Sequence, residues 1–294
     1  MQVIRAEAMG MCFGVRDALQ LAFARDDAPE VTVYGELVHN EQVLARLRQQ
    51  GFRMATEQAR AAEVSTGTVL VTAHGIANRE RVALEERGIA LVDTTCPLVR
   101  KAHNAVLRLQ EAGYFPVVIG LHGHVEVRGL TGDLEVCAVV ADEAEARALR
   151  IDAPRIGVVS QTTTPEAVAT RVVAAIRAAH PAAEVRFLDT ICEPTRQRQA
   201  ALRALLDAVE CVVVVGGRGS NNSRQLVETC RANGRPAYLV QGASGLDPEW
   251  FHGCAKVGLT AGTSTLDAVI DEVEAALAVL PEPAVAPHGG CAPA

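Results

Sequence analysis

Three cysteines in this chain share one local pattern. Cys96 lies in Asp93-Thr94-Thr95-Cys96-Pro97, with Arg100 four residues on; Cys192 lies in Asp189-Thr190-Ile191-Cys192-Glu193, with Arg196 at the same offset. Cys12 lacks the Asp-Thr lead but again has Arg at +4, in Cys12-Phe13-Gly14-Val15-Arg16. The separations are 84 and 96 residues, one cysteine to each near-equal stretch. Matched thiols at this spacing point to one shared metal centre, and three ligands leave a metal with an open position. Each cysteine precedes a predicted helix, where the positive dipole end is expected to lower the thiol pKa and favour ligation. Zinc and iron–sulfur both suit such a set, and the competing reading is a turn pattern that recurs by chance.

Polar residues collect at the ends of apolar runs. They occur in Val38-His39-Asn40, Ala73-His74-Gly75, Gly123-His124-Val125-Glu126 and Ser160-Gln161-Thr162-Thr163. In open α/β sheets ligands bind beyond the carboxyl ends of the strands, so several such ends predict one polar pocket. An extended backbone at 124–126 would put His124 and Glu126 on one face as a proton-delivery pair. His122 would then point away. Gly216-Gly217-Arg218-Gly219-Ser220-Asn221-Asn222-Ser223 and Thr260-Ala261-Gly262-Thr263-Ser264 both lead into helices, whose free N–H groups suit an anion. Neither is a Walker loop or a dinucleotide fingerprint. Alone, each reads equally as a capped helix start; with His39 and His74 they form a diphosphate clamp that needs no metal ion.

The elements that carry these residues alternate. Strands are predicted at Val31–Tyr34, Val69–Thr72, Val117–Gly120, Ile156–Ser160, Cys211–Gly216 and Lys256–Thr260, with helices at Arg79–Arg87, Leu98–Ala112, Pro165–Ala179, Arg196–Val209 and Ser264–Leu280. The fold class is therefore α/β with parallel sheets, the strands apolar on both faces. The cysteines suggest units at 1–96, 97–192 and 193–280, then a loose tail at 281–294. With 28 basic and 35 acidic residues, a net charge of −7 and no polybasic run, a nucleic-acid partner is not expected. No apolar run approaches a membrane span, so a cytoplasmic protein is expected. Eight cysteines in that setting do not suggest a disulfide framework. Cys137, Cys211, Cys230 and Cys254 read as small hydrophobes, and Cys291 as a tail bystander.

As an ordered set, these motifs resemble the IspH/LytB family of 4-hydroxy-3-methylbut-2-enyl diphosphate reductases over roughly residues 1–280. The resemblance rests on Cys12-Phe13-Gly14-Val15, Val38-His39-Asn40, Ala73-His74-Gly75, Thr95-Cys96-Pro97, Gly123-His124-x-Glu126, Gln161-Thr162-Thr163, Ile191-Cys192, Ser220-Asn221-Asn222-Ser223 and Thr260-Ala261-Gly262-x-Ser264. It implies three pseudo-equivalent small α/β domains around a central [4Fe–4S] cluster held by Cys12, Cys96 and Cys192, with one iron open. It further implies diphosphate binding by His39, His74, His124, Ser220, Asn221, Asn222 and Ser264. Glu126 would supply protons, with His124 beside it, and Thr162 would orient the substrate hydroxyl. The implied activity is reductive dehydroxylation to isopentenyl and dimethylallyl diphosphates, the last step of the non-mevalonate pathway. Electrons would come singly from a ferredoxin or flavodoxin, and the protein would be a monomer or weak homodimer.

Five positions depart from the family's usual residues: Val125 and Leu266 stand where Pro is common, Gly217 and Gly219 replace bulkier polar residues, and Phe13 replaces a small one. The Val125 change is expected to loosen the segment carrying Glu126. The principal alternative is a divergent non-catalytic cluster protein sensing oxygen or iron; a zinc enzyme acting on a phosphorylated substrate is the third.

Overall fold

A computed structural model describes residues 1–280, so the expectations for 281–294 and Cys291 lie outside the described residues. Twelve strands form three four-stranded sheets, and every pairing among the described residues is parallel. The third sheet has the order β1(Gln2–Arg5), β12(Lys256–Ala261), β10(Cys211–Val215), β11(Ala237–Val240). The first runs β3(Arg53–Met54), β2(Val31–Val33), β4(Thr68–Val71), β5(Ala90–Asp93), and the second β7(Ala138–Val140), β6(Phe115–Ile119), β8(Arg155–Ser160), β9(Glu184–Phe187).

Strand alternation explains why the central runs are apolar throughout. In β10, Val212 and Val214 face one core with α8(Glu193–Leu206) and α9(Asn221–Ala232), while Val213 and Val215 face another with α10(Asp267–Val279). The first sheet packs Val31, Val33 and Leu70 against α1(Phe13–Phe23) and α2(Glu41–Gln49); Val69 and Val71 meet Leu84 of α3(Asn78–Glu86). The second packs Val118 and Val159 against α4(Pro97–Glu111) and α5(Val125–Thr131), and Val117 and Val158 against α6(Glu143–Ala148) and α7(Glu166–Ala179). Each such fully buried Val, Leu or Ile stabilises the fold by roughly 1.5–3 kcal/mol.

The chain does not divide simply at its cysteines. Strand β1 lies in the first third of the sequence, yet it pairs with β12, with Ile4 opposite Gly258. Residues 2–5 therefore belong to the third sheet and not to a unit 1–96; they cover the edge of β12 that would otherwise be open. The cysteines are the joints between units. The backbone N–H of Cys12 donates to Thr263, beyond β12, and α1 then packs on the first sheet. That of Cys96 donates to Ala73, beyond β4, and α4 packs on the second sheet. That of Cys192 donates to Thr162, beyond β8, and α8 packs on the third. The three steps close a ring, with one thiol at each crossing.

Candidate functional site

At the centre of that ring a cleft of about 710 Å³ is lined by Cys12, Cys96 and Cys192 on one side, and by His39, His74, His124, Glu126, Thr162, Ser220, Asn221, Asn222 and Ser264 on the rest. Every nominated residue thus meets one space, brought there by loops at the carboxyl ends of three separate sheets. His122 is elsewhere: it is exposed and paired with Glu145 at 2.7 Å. None of Cys137, Cys211, Cys230 and Cys254 lines the cleft; Cys211 and Cys230 are buried, while Cys137 and Cys254 are half-buried.

The three imidazoles form a cluster, with ring centroids 4.4 Å apart for His39 and His74, 5.1 Å for His39 and His124, and 5.7 Å for His74 and His124. Burial first, then its histidine neighbours, hold His74 well below the ordinary imidazole range. Burial, His39 and nearby arginines lower His124 to about 3, so both rings are neutral at pH 7. The Nδ1 of His124 accepts the backbone N–H of Glu126 at 3.1 Å, which assigns the ring proton to Nε2 and leaves it free to donate. In His39, Nδ1–H donates to Glu36 Oε2 at 2.7 Å, and the contact holds the Glu36 carboxyl below its usual range. His39 Nε2, His74 Nδ1 and Asn222 Nδ2 are buried and have no partner among the described residues. Unpaired buried polar atoms are costly, so a ligand that satisfies them gains affinity.

The anion-binding turns are held by cross-unit bonds. Ser220 caps α9 by accepting from Ser223 N, and Asn222 Oδ1 accepts from Thr263 N at 3.0 Å. Ser264 Oγ donates to the carbonyl of His39 at 3.2 Å, and Asn40 Nδ2 donates to that of Ser264 at 2.7 Å. Asn221 spends its amide on Thr163 Oγ1 at 3.0 Å, so its donor is engaged within the protein. A side chain at 217 would collide with the His39 carbonyl, which accounts for Gly217 in place of a bulkier residue.

Glu126 does not lie on extended backbone. It is the second residue of α5, with His124 as N-cap, because the histidine side chain satisfies a free N–H of the first turn. Its carboxyl is buried, 2% exposed, and Oε1 accepts from Thr162 N at 2.6 Å. Burial raises its pKa to about 7 although the Thr162 bonds favour the charged form. Nor does Val125 leave the segment loose: it is a buried first-turn residue, and Thr162 anchors its neighbour.

The thiols also depart from expectation. Burial pushes Cys96 up and Cys192 to about 11, outweighing the backbone N–H groups of Leu98, Val99 and Thr195 that favour thiolate. Helix N-termini alone do not ionise these groups; a metal bound here would have to displace their protons. A methyl group at Gly14 would collide with Cys96 Sγ, so Gly14 keeps α1 and α4 close enough for the thiols to share the cleft. Gly14→Ala is therefore expected to preserve the helix, where Ala is the better former, while displacing Cys96. Iron bound per chain after anaerobic reconstitution should fall by at least about half, without loss of helical circular dichroism; full iron content would refute the close-packing role.

Two residues were missed from the sequence. Glu36 is three positions before His39, a spacing without meaning until β2 turns toward the cleft. Arg198 is buried, 5% exposed, and donates through Nε and Nη2 to the Gly10 carbonyl and through Nη1 to that of Pro194. Among the described residues it has no carboxylate partner; the ionisable groups that it faces are the Cys12 and Cys192 thiols. Its offset of six from Cys192 carried no pattern to notice.

Residues 3–278 match the family described as LytB protein. Over 276 residues the chain is 37% identical to a 4-hydroxy-3-methylbut-2-enyl diphosphate reductase of Geobacter metallireducens, covering 93% of this chain and 95% of the relative. It is 34% identical over 278 residues to the enzyme so named in Aquifex aeolicus, covering 92% and 94%. Among solved structures, the E-1-hydroxy-2-methyl-but-2-enyl-4-diphosphate reductase from Plasmodium falciparum aligns with TM-score 0.86 at 25% identity, covering 95% of this chain and 89% of that one. A structure of (E)-4-hydroxy-3-methyl-but-2-enyl diphosphate reductase, described as the terminal enzyme of the non-mevalonate pathway, aligns with TM-score 0.64 at 33% identity, covering 95% and 99%. Three parallel sheets joined at three cysteines, carrying the whole ordered motif set and matching at this length, make the chain a member of the LytB family.

Proposed function

We infer that the protein reduces (E)-4-hydroxy-3-methylbut-2-enyl diphosphate to isopentenyl and dimethylallyl diphosphates with two electrons and two protons, releasing water. The observation that carries this reading is a chain of contacts. Glu126, with a pKa near neutrality, accepts from Thr162 N, and the Thr162 carbonyl accepts from Cys192 N, so an acid is fixed beside a candidate metal ligand. A sensor of oxygen or iron requires neither this acid nor the histidine cluster.

The donor set fits a [4Fe–4S] cluster. Cys12, Cys96 and Cys192 line one cleft from three directions, and the buried, uncompensated Arg198 cation beside Cys12 and Cys192 suits an anionic group. When bound, the cluster supplies single electrons and one iron without a protein ligand, as a Lewis acid for the allylic hydroxyl.

The protein's own groups do the rest. His124 Nε2–H, the free N–H groups at the start of α9, and the side chains of His39, His74, Ser220, Asn222 and Ser264 take the diphosphate. This is neutral recognition that costs little desolvation in a buried cleft. Thr162 holds the Glu126 carboxyl toward the thiols, and Glu126 in its acid form gives a proton as the C–O bond breaks. Cofactor-loaded protein supplied anaerobically with this diphosphate and reduced methyl viologen should consume it and yield both isomers, quantified by chromatography. Loaded protein that leaves the substrate untouched would overturn the reading.

A further inference from the structure

The arginine four residues after each cysteine is not used by the chemistry above. Arg100 pairs with Asp93 Oδ2 at 3.0 Å, and Arg196 pairs with Asp189 and Glu166. Two copies of the pattern thus clamp the turn that leads into a cysteine. Arg16 has no such acid, because the Asp-Thr lead is missing before Cys12.

Beside the first clamp lies a second opening, a groove of about 1010 Å³ that shares no lining residue with the substrate cleft. One wall is α4, through Pro97, Arg100, Lys101, Asn104 and Arg108; the other is the β9–α8 connection, through Phe187, Leu188, Asp189 and Thr190. Asp93 is shared between Arg81 and Arg100, while Asp189 is paired with Arg196. The side chains of Lys101 and Arg108 are exposed and have no ion pair or hydrogen bond among the described residues. In a chain of net charge −7 with only two lysines, two uncompensated cations beside one groove run against the average charge. The apolar edge of Phe187 and Leu188 completes a surface with a positive wall and a hydrophobic rim.

The groove also lies close to the metal-ligand positions. Pro97 directly follows Cys96, and Thr190 is two residues before Cys192. Lys101 is five residues along α4 from Cys96, roughly 7.5 Å of helix rise. An electron entering here starts within two residues of Cys96 and Cys192 along the chain.

We propose that this groove docks an acidic ferredoxin, steered by Lys101 and Arg108, which delivers electrons past Cys96 and Cys192. Each encounter oxidises one reduced ferredoxin and reduces the enzyme by one electron; two encounters provide the pair consumed in C–O cleavage. The charge contribution is long-range, so it acts mainly on association and weakens with salt.

This assignment rests on the proposed reductase activity, and the test separates the two. Holoenzyme, wild type and Lys101→Glu/Arg108→Glu, is mixed without substrate with pre-reduced acidic ferredoxin or with methyl viologen. Reduction of the enzyme is followed by stopped-flow absorbance. The double variant should lose at least about tenfold in the second-order rate with ferredoxin, keep the viologen rate within about twofold, and show a flatter dependence on salt. Unchanged ferredoxin rates, or equal losses with both donors, would overturn it. If wild-type holoenzyme accepts ferredoxin electrons by this groove but does not convert the diphosphate, the reductase reading fails and the docking assignment stands.

Discussion

Glu126→Gln is expected to lower turnover by at least about 100-fold, the usual scale for a positioned general acid, while the protein still binds iron and substrate. The amide keeps the shape of the side chain and can still accept from Thr162 N, so the change removes the proton and little else. With the wild-type pKa near 7, the acid form is lost as pH rises through neutrality, and kcat should fall on that limb; the limb should be missing in the variant. Rates within a few-fold of wild type would remove Glu126 as the proton source.

The same residue makes an independent prediction for the metal-free protein. Burial raises the native pKa from its ordinary 4.5 to about 7, so the native state binds more protons than the unfolded state between those values. Stability therefore falls as pH rises from about 4.5 to about 7, where the carboxyl must ionise in a buried place. Removing that group should make Glu126→Gln more stable than wild type at pH 8, by on the order of 2–3 kcal/mol, and equal to it at pH 4. Denaturant titrations at the two pH values measure this; equal stability at pH 8 would mean that Glu126 is not held in a desolvated site.

Cys96→Ser should abolish the metal centre. The hydroxyl is a poor replacement for a soft thiolate, and Cys96 stands at the joint between the first sheet and α4. Reconstituted wild type should be brown, with broad absorbance near ~400 nm and about four irons per chain. The serine variant should lose that absorbance, most of its iron and all turnover. Its metal-free form should unfold within about 1 kcal/mol of wild type, since the substitution leaves no cavity of consequence. An intact, active centre in the variant would refute the three-thiol assignment, and a colourless wild type holding one zinc would refute the cluster.

The pattern of what could be read in advance follows sheet position. Strands β2, β4, β6, β8, β10 and β12 are the inner pair of each sheet, and each lies within two residues of its expected place. The expected set omits β1, β3, β5, β7, β9 and β11, all of them edges. Inner strands are covered on both faces and write a continuous β-branched run. Several edge strands carry polar or charged residues within the run, as in Gln2–Arg5 and Glu184–Phe187, while Ala138–Val140 and Ala237–Val240 are apolar but only three and four residues long. Position in the sheet controls the strength of the signal.

Local chemistry was legible wherever one short segment carries it: a cysteine before a helix, a histidine after a strand, a small-polar turn before a helix. Those types and their order were enough to nominate the thiols, the acid and the anion-binding donors. Only tertiary structure decided how they meet. It put β1 on the last sheet, hung each cysteine between two units, wound Glu126 into a helix under a histidine cap, and buried Arg198 beside two thiols. It also pushed the Cys96 and Cys192 thiols up where a lower pKa was expected, because burial depends on what other segments cover, and no residue's neighbours in sequence report that. Sequence determines which groups are present and on which local elements; their protonation and their partners are set by desolvation and contact across the ring.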